Sequence, residues 1–199
     1  MNDVAQVLLR INLVGGLVVL AVLAVRLPMR RWLGPQAAYR LWAAPPLAVF
    51  ATLLPARVIW VDEPVAAGGG WTAALGGTAP LLLALWLAGA LAAVGFLWRA
   101  QAAFLAEARA GRAGPAVVGV ICPRIVMPLD DSRYTPEERA LVRAHEREHI
   151  DRRDPQAGGW MAAFQCLAWF NPLVHLAVHL ARLDQELACD AAAQRQRQR

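Results

Sequence analysis

The sequence predicts a mainly α-helical, multi-span membrane protein that ends in a cytosolic domain containing a small β-hairpin. Three observations carry this expectation. Of 199 residues, 58% are hydrophobic and the mean hydropathy is +0.38, too apolar for an ordinary soluble domain of this length. Apolar runs near bilayer length alternate with arginine clusters. From residue 99 onward charges, turn signals and short β-branched runs appear instead. Every basic residue is arginine and the net charge is +5, a balance that by itself suits nucleic acid or anionic lipid. Because the arginines flank apolar runs, membrane lipids are the expected partner and direct nucleic-acid binding is not expected.

The clearest span is 79–98, uncharged and closed by Trp98 and Arg99 at an interface. A second is 4–25, where Gly15 and Gly16 permit close helix packing and Arg10 can snorkel outward. It lacks the basic start of a signal peptide and is read as retained. A third, 37–54, carries Arg40 near one end and Pro45-Pro46 inside, which predicts a kink. Arg26, Arg30, Arg31 and Arg40 crowd the first connection without an acid, whereas Arg57, Asp62 and Glu63 leave the second slightly acidic. The positive-inside rule therefore makes the first connection cytosolic, and everything after Arg99 emerges on the cytosolic side. The resulting organisation is a membrane domain over 1–98 with three transmembrane helices, a cytosolic domain over 99–193, and a disordered Arg/Gln tail over 194–199.

Within the cytosolic part, 101–112 looks helical and is broken by Gly111 and Gly114-Pro115. The runs 116–121 and 124–127 flank Cys122-Pro123 and predict a hairpin, either a structural lid or an edge strand able to pair with an extended peptide. Cys122, Cys166 and Cys189 have no CxxC spacing and lie where disulfides are disfavoured, so they read as structural thiols.

The next helix has a strong start signal. Thr135-Pro136-Glu137-Glu138 is a capping box with proline at the first helical position, and Asp154-Pro155 marks the end. Inside it stands His145-Glu146-Arg147-Glu148-His149. At about 100° per residue His145 and His149 share one face and Glu146 lies beside it, the arrangement of two zinc ligands and a general base. Glu148 falls on another face and reads as a solvating charge. A catalytic zinc needs a third protein ligand and keeps a fourth position for water.

His175, His179, Glu186 and Asp190 are the candidates for that third ligand, on a helix predicted to start at Asn171-Pro172. Glu186 and Asp190, four residues apart, could divide ligand and supporting roles. His175 and His179 share that spacing but sit among Leu173, Leu176 and Leu180, a setting for partly buried or interfacial histidines. The stretch 157–181 contains no Asp, Glu, Lys or Arg. Crossing the bilayer there would strand Glu186 on the far side from His145. Gly158-Gly159 and Asn171-Pro172 instead suggest two helices of a surface-embedded or re-entrant hairpin.

Together, the spans, Pro123-Arg124-Ile125-Val126-Met127-Pro128, the Thr-Pro-Glu-Glu lead-in, HExxH, Trp169-Phe170-Asn171-Pro172-Leu173-Val174 and Glu186-Leu187-Ala188-Cys189-Asp190 resemble the BlaR/MecR family of membrane metallopeptidases. The resemblance implies a gluzincin-like domain with Zn2+ on His145, His149 and Glu186, Glu146 as base and Asp190 in support. It implies a bacterial inner-membrane enzyme cutting a cytosolic protein, in sensing members a DNA-binding repressor or the receptor itself. Such members commonly add another span and an extracellular penicillin-binding domain. This chain stops shortly after Asp190 and has no Ser-x-x-Lys motif, so β-lactam sensing by the chain alone is not expected. His175 stands where the family often has tryptophan. Alternative readings are a quality-control or processing peptidase similar to HtpX or the CAAX prenyl proteases, or a non-catalytic adaptor from a truncated sensor; homo-oligomerisation is open.

Overall fold

The apolar N-terminal run folds as one long helix, α1 (Asn2–Leu33), in a computed structural model that describes residues 2–54, 79–129 and 134–197. It continues past the expected end at residue 25, carrying Pro28 within it, and Arg30 and Arg31 occupy the last turn, where cations complement the helix dipole. Gly34, at φ 87° and ψ 170°, adopts a conformation open essentially to glycine alone and turns the chain back.

The predicted third span is divided. Helix α2 (Pro35–Arg40) passes through a 3-10 turn (Leu41–Ala43) into α3 (Ala44–Leu53). Pro45 falls in the first turn of α3, where a missing N–H costs nothing, so the double proline starts a helix rather than kinking one. Only α1 and α4 among the described helices are long and apolar enough to cross a membrane. The expected second connection, with Arg57, Asp62 and Glu63, lies outside the described residues.

Helix α4 (Ala79–Arg109) joins the expected span and the charged helix after it into one rod. No residue of its apolar window is buried inside the fold. Gly111, at φ 73°, ends this helix, and the chain enters the predicted hairpin. Strands β1 (Ala116–Val118) and β2 (Arg124–Val126) pair antiparallel, with Ala116 opposite Val126 and Val118 opposite Arg124.

Helix α5 (Pro136–Asp151) begins as the sequence dictates. The Glu138 N–H donates to Thr135 Oγ1 at 3.2 Å and the Thr135 N–H to Glu138 Oε2 at 2.9 Å, which completes the capping box. Helix α6 (Asp154–Leu167) follows, then α7 (Pro172–Arg197). Asn171 caps α7, its Oδ1 accepting from the Leu173 N–H at 3.0 Å. The expected interruption at Gly158-Gly159 is corrected: α6 runs through both glycines. A Cβ on Gly159 would stand 2.9 Å from Val120 Cγ1, so that glycine admits the hairpin tip rather than breaking the helix. Helix α7 extends through residues 194–197, which the sequence assigned to the tail, while 198–199 lie outside the described residues.

The core sits where α1, the 3-10 turn and α7 meet. Val19 and Val22 of α1 pack with Trp42 and with Ala177 and Ala181 of α7. Gly15 and Gly16 face partners as expected, a Cβ on Gly15 falling 3.2 Å from Val49. At one end of this core Asp184 is almost fully buried. It accepts from Trp42 Nε1 at 2.9 Å and pairs with Arg26 at 3.4 Å, the compensation a buried carboxylate requires.

Candidate metal centre

Two helices bring the predicted residues together. Helix α5 presents His145 and His149 from successive turns, their rings 4.9 Å apart and edge to face. Helix α7 packs across them and supplies Glu186. Its Oε2 lies 3.8 Å from His145 Nε2 and 3.6 Å from His149 Nε2, so one carboxylate oxygen faces both rings. Such separations suit neighbouring ligands around a tetrahedral ion with bonds of about 2.0–2.2 Å. The opposite ring nitrogens face carboxylates, within hydrogen-bond distance only at His149. His149 Nδ1 is 2.8 Å from Asp154 Oδ2, and His145 Nδ1 is 3.7 Å from Asp190 Oδ1. A ligand histidine held at Nδ1 by a carboxylate offers Nε2 to a metal in a fixed orientation.

Asp154 was legible in the sequence only as a helix stop. It belongs to α6, and the chain returns it to His149 through Arg153, whose φ of 61° is left-handed and unusual for a side-chain-bearing residue. Asp154 is buried and also accepts from the Tyr39 hydroxyl at 3.1 Å, with Arg152 Nε at 3.4 Å and the Arg152 guanidinium over the Tyr39 ring. A five-residue separation matches no single-helix face, so no periodicity pointed from His149 to Asp154.

The electrostatics follow the geometry. Hydrogen bonding to Asp154 and then to Glu186 pushes His149 up to about 10, against the opposing effect of burial. Glu186 is held below the usual carboxylate range, chiefly by its contact with His149. Burial pushes the Glu146 carboxyl up, partly offset by the charges of His149 and His145.

Cys189 is a second candidate donor, since His145, His149 and Cys189 have ligand atoms within 4.8 Å of one another. Its Sγ, however, lies 3.8 Å from His145 Nδ1, the edge turned away from Glu186. Burial also pushes its thiol up to about 12, whereas a metal takes a thiolate. Glu186 Oε2, by contrast, faces Nε2 of both rings. His175 is not drawn in: Nε2 is 2.8 Å from the Trp169 carbonyl oxygen and Nδ1 3.3 Å from Gln165 Nε2. His179 is exposed on α7. A cavity of about 510 Å3 lined by Ile125, Met127, Arg143, Ala144 and Arg147 involves the side of α5 away from His145 and His149, because positions 143 and 147 point roughly opposite 145 and 149 around a helix.

The two HExxH imidazoles on one helix and a carboxylate from another form a donor set able to hold a metal ion. The chain belongs to the BlaR1 peptidase M56 family, whose model matches residues 6–74 and 110–199. The Regulatory protein BlaR1 of Bacillus licheniformis is 35% identical over 78 residues, 39% of this chain. The match covers 13% of that relative's length. No solved structure matches.

Proposed function

We propose that the chain is a membrane zinc endopeptidase that hydrolyses a peptide bond of a cytosolic protein, a DNA-binding repressor being the expected substrate, in signal transduction. The observation that carries this is the convergence of His145 Nε2, His149 Nε2 and the Glu186 carboxylate, with Asp154 and Asp190 behind the two rings. The donor set fits zinc: two imidazoles and one carboxylate, in a chain whose family is a peptidase family.

In this reading His145, His149 and Glu186 hold the ion. Bound there, zinc would lower the pKa of a water to about 7 and polarise the scissile carbonyl. Glu146 takes the proton of the attacking water and delivers it to the leaving amine. Its half-buried position serves both steps, because burial raises its proton affinity toward the working range of a general base. Asp154 holds His149 in the tautomer with Nε2 free, and Asp190 faces His145 Nδ1 from 3.7 Å, a looser electrostatic contact.

The multi-pass topology, with the site on the cytosolic face, rests on the apolar length of α1 and α4 and on the arginines at 26–40. The test is to purify the full chain in detergent with and without Glu146→Ala, then measure zinc by elemental analysis and cleavage of a co-expressed repressor. The reading expects stoichiometric zinc in both proteins and cleavage only in the wild type. Cleavage that persists in Glu146→Ala refutes it.

A further inference from the structure

The uncharged stretch 157–181 of α6 and α7 turns back at residues 168–171, and that turn is seated deep against the two long apolar helices. Trp86 Nε1 of α4 donates to the Leu167 carbonyl at 2.9 Å, and Trp169 Nε1 donates back to the Trp86 carbonyl at 3.1 Å. A Cβ on Gly89 would overlap the Trp169 indole, so α4 is notched at that level. On the other side Asn171 Nδ2 reaches Asn12 Oδ1 of α1 at 3.4 Å.

Four helices then give the same depth. At a rise of 1.5 Å per residue, Trp86 lies ~18 Å along α4 from Trp98, and Asn12 lies ~21 Å along α1 from Arg26. By the same rise the turn lies ~20 Å along α6 from Asp154 and ~21 Å along α7 from Glu186. Arg26 is itself level with Asp184 of α7, two residues before Glu186. With the helix axes taken as parallel, the metal centre, Arg26 and Trp98 fall at about the same height, and the turn lies about two-thirds of the way through an apolar layer of about 30 Å.

A backbone reversal at that depth is tolerated only where its polar groups find partners inside the protein. Here they do. The Leu167 carbonyl accepts from Trp86, the Ala168 carbonyl from the Asn171 N–H at 2.9 Å, and the Trp169 carbonyl is 2.8 Å from His175 Nε2. The N–H groups of Leu173 and Val174 donate to the Asn171 side chain and carbonyl. Meanwhile apolar side chains on the outside of the same pair are bare: Trp160, Leu167 and Phe170 are 76%, 54% and 50% exposed.

We propose that α6 and the first half of α7 form a re-entrant hairpin whose outer face, at Trp160, Leu167 and Phe170, is covered by lipid acyl chains, and which enters and leaves the bilayer on the side of the metal centre. Asn171, His175 and Trp86 are the residues that let the backbone turn within the apolar layer. Glu146 consequently works at the headgroup plane, and a substrate reaches it along the membrane surface. The inference rests on the membrane placement of α1 and α4, not on peptidase chemistry, so it stands or falls separately from the cleavage test.

The test is accessibility of Phe170→Cys in the full chain carrying Cys122→Ala, in sealed membrane vesicles of both orientations, with a membrane-impermeant maleimide. Arg109→Cys, at the solvent end of α4, is the control that reacts from one side. Phe170→Cys is expected to react from neither side and to become reactive once detergent replaces the bilayer. Reaction from the side opposite Arg109→Cys means that the pair crosses, and reaction from the same side means that it rests in water. Silence in detergent as well means that protein, not lipid, covers the face. Each of these three results overturns the proposal. Leu167→Cys, read in the same way, replaces Phe170→Cys if that variant does not accumulate.

Discussion

Replacing Asp154 by asparagine isolates the residue that the sequence did not flag as part of the site. Asp154 is 2% exposed and faces His149 Nδ1 at 2.8 Å, the Tyr39 hydroxyl at 3.1 Å and Arg152 Nε at 3.4 Å. Asparagine keeps the shape but has one acceptor oxygen where the carboxylate has two, so it cannot serve His149 and Tyr39 together. The lost charge-assisted bond to His149 frees the ring to rotate and weakens its donor strength. Losses at such supporting carboxylates run to about 10–100-fold in metal affinity, or about 1.4–2.7 kcal/mol. Asp154→Ala is a poorer probe. It leaves the Arg152 guanidinium, only 10% exposed, without its carboxylate, at a cost of about 3–5 kcal/mol to the fold. The assay is competition for zinc against a fluorescent chelator, with thermal unfolding of the same samples as a check on folding. A folded Asp154→Asn protein that binds zinc as tightly as the wild type would refute the argument that Asp154 orients His149. Asp190→Asn should lose less, because Asp190 is 62% exposed and 3.7 Å from its ring.

Other outcomes follow from the same geometry. Glu186→Ala should lose zinc by more than Cys189→Ser does in chelator competition; the reverse order would move the third ligand to Cys189. Chelation of the metal should lower the midpoint of thermal unfolding, since an ion present at about 1,000 times its Kd stabilises the folded state by about 4.1 kcal/mol. Gly89→Ala should destabilise by about 1–3 kcal/mol through overlap with Trp169, despite the better helix propensity of alanine, as read by detergent unfolding. Thr135→Ala should cost about 1 kcal/mol by removing the cap of α5, measured in the same way.

Much of the fold was legible because local chemistry decided it. The capping box set the start of α5, the β-branched runs set the hairpin and Asn171-Pro172 set the start of α7, all through contacts within a few residues. The reading failed where distant groups intervened. Gly158-Gly159 looked like a break, but Val120, from a hairpin far away in sequence, explains why glycine is needed at 159. The expected span at 37–54 became α2, a 3-10 turn and α3, with Pro45 used as a helix start.

The sequence by itself determined the donor types: two imidazoles one turn apart, a carboxylate beside them, and an acidic pair on a later helix. Helical periodicity is a local property, and it is enough to put His145 and His149 on one face. What it could not decide is which of His175, His179, Glu186 and Asp190 meets that face. That depends on how α7 crosses α5, which the packing of α7 against α1 and the Arg26–Asp184–Trp42 contacts fix. The same packing places Glu186 at the Nε2 edge of both rings, leaves His175 to serve the turn at 168–171, and brings Asp154 back to His149. Only tertiary contacts select among donors separated by tens of residues, because chain periodicity carries no information about distances between helices.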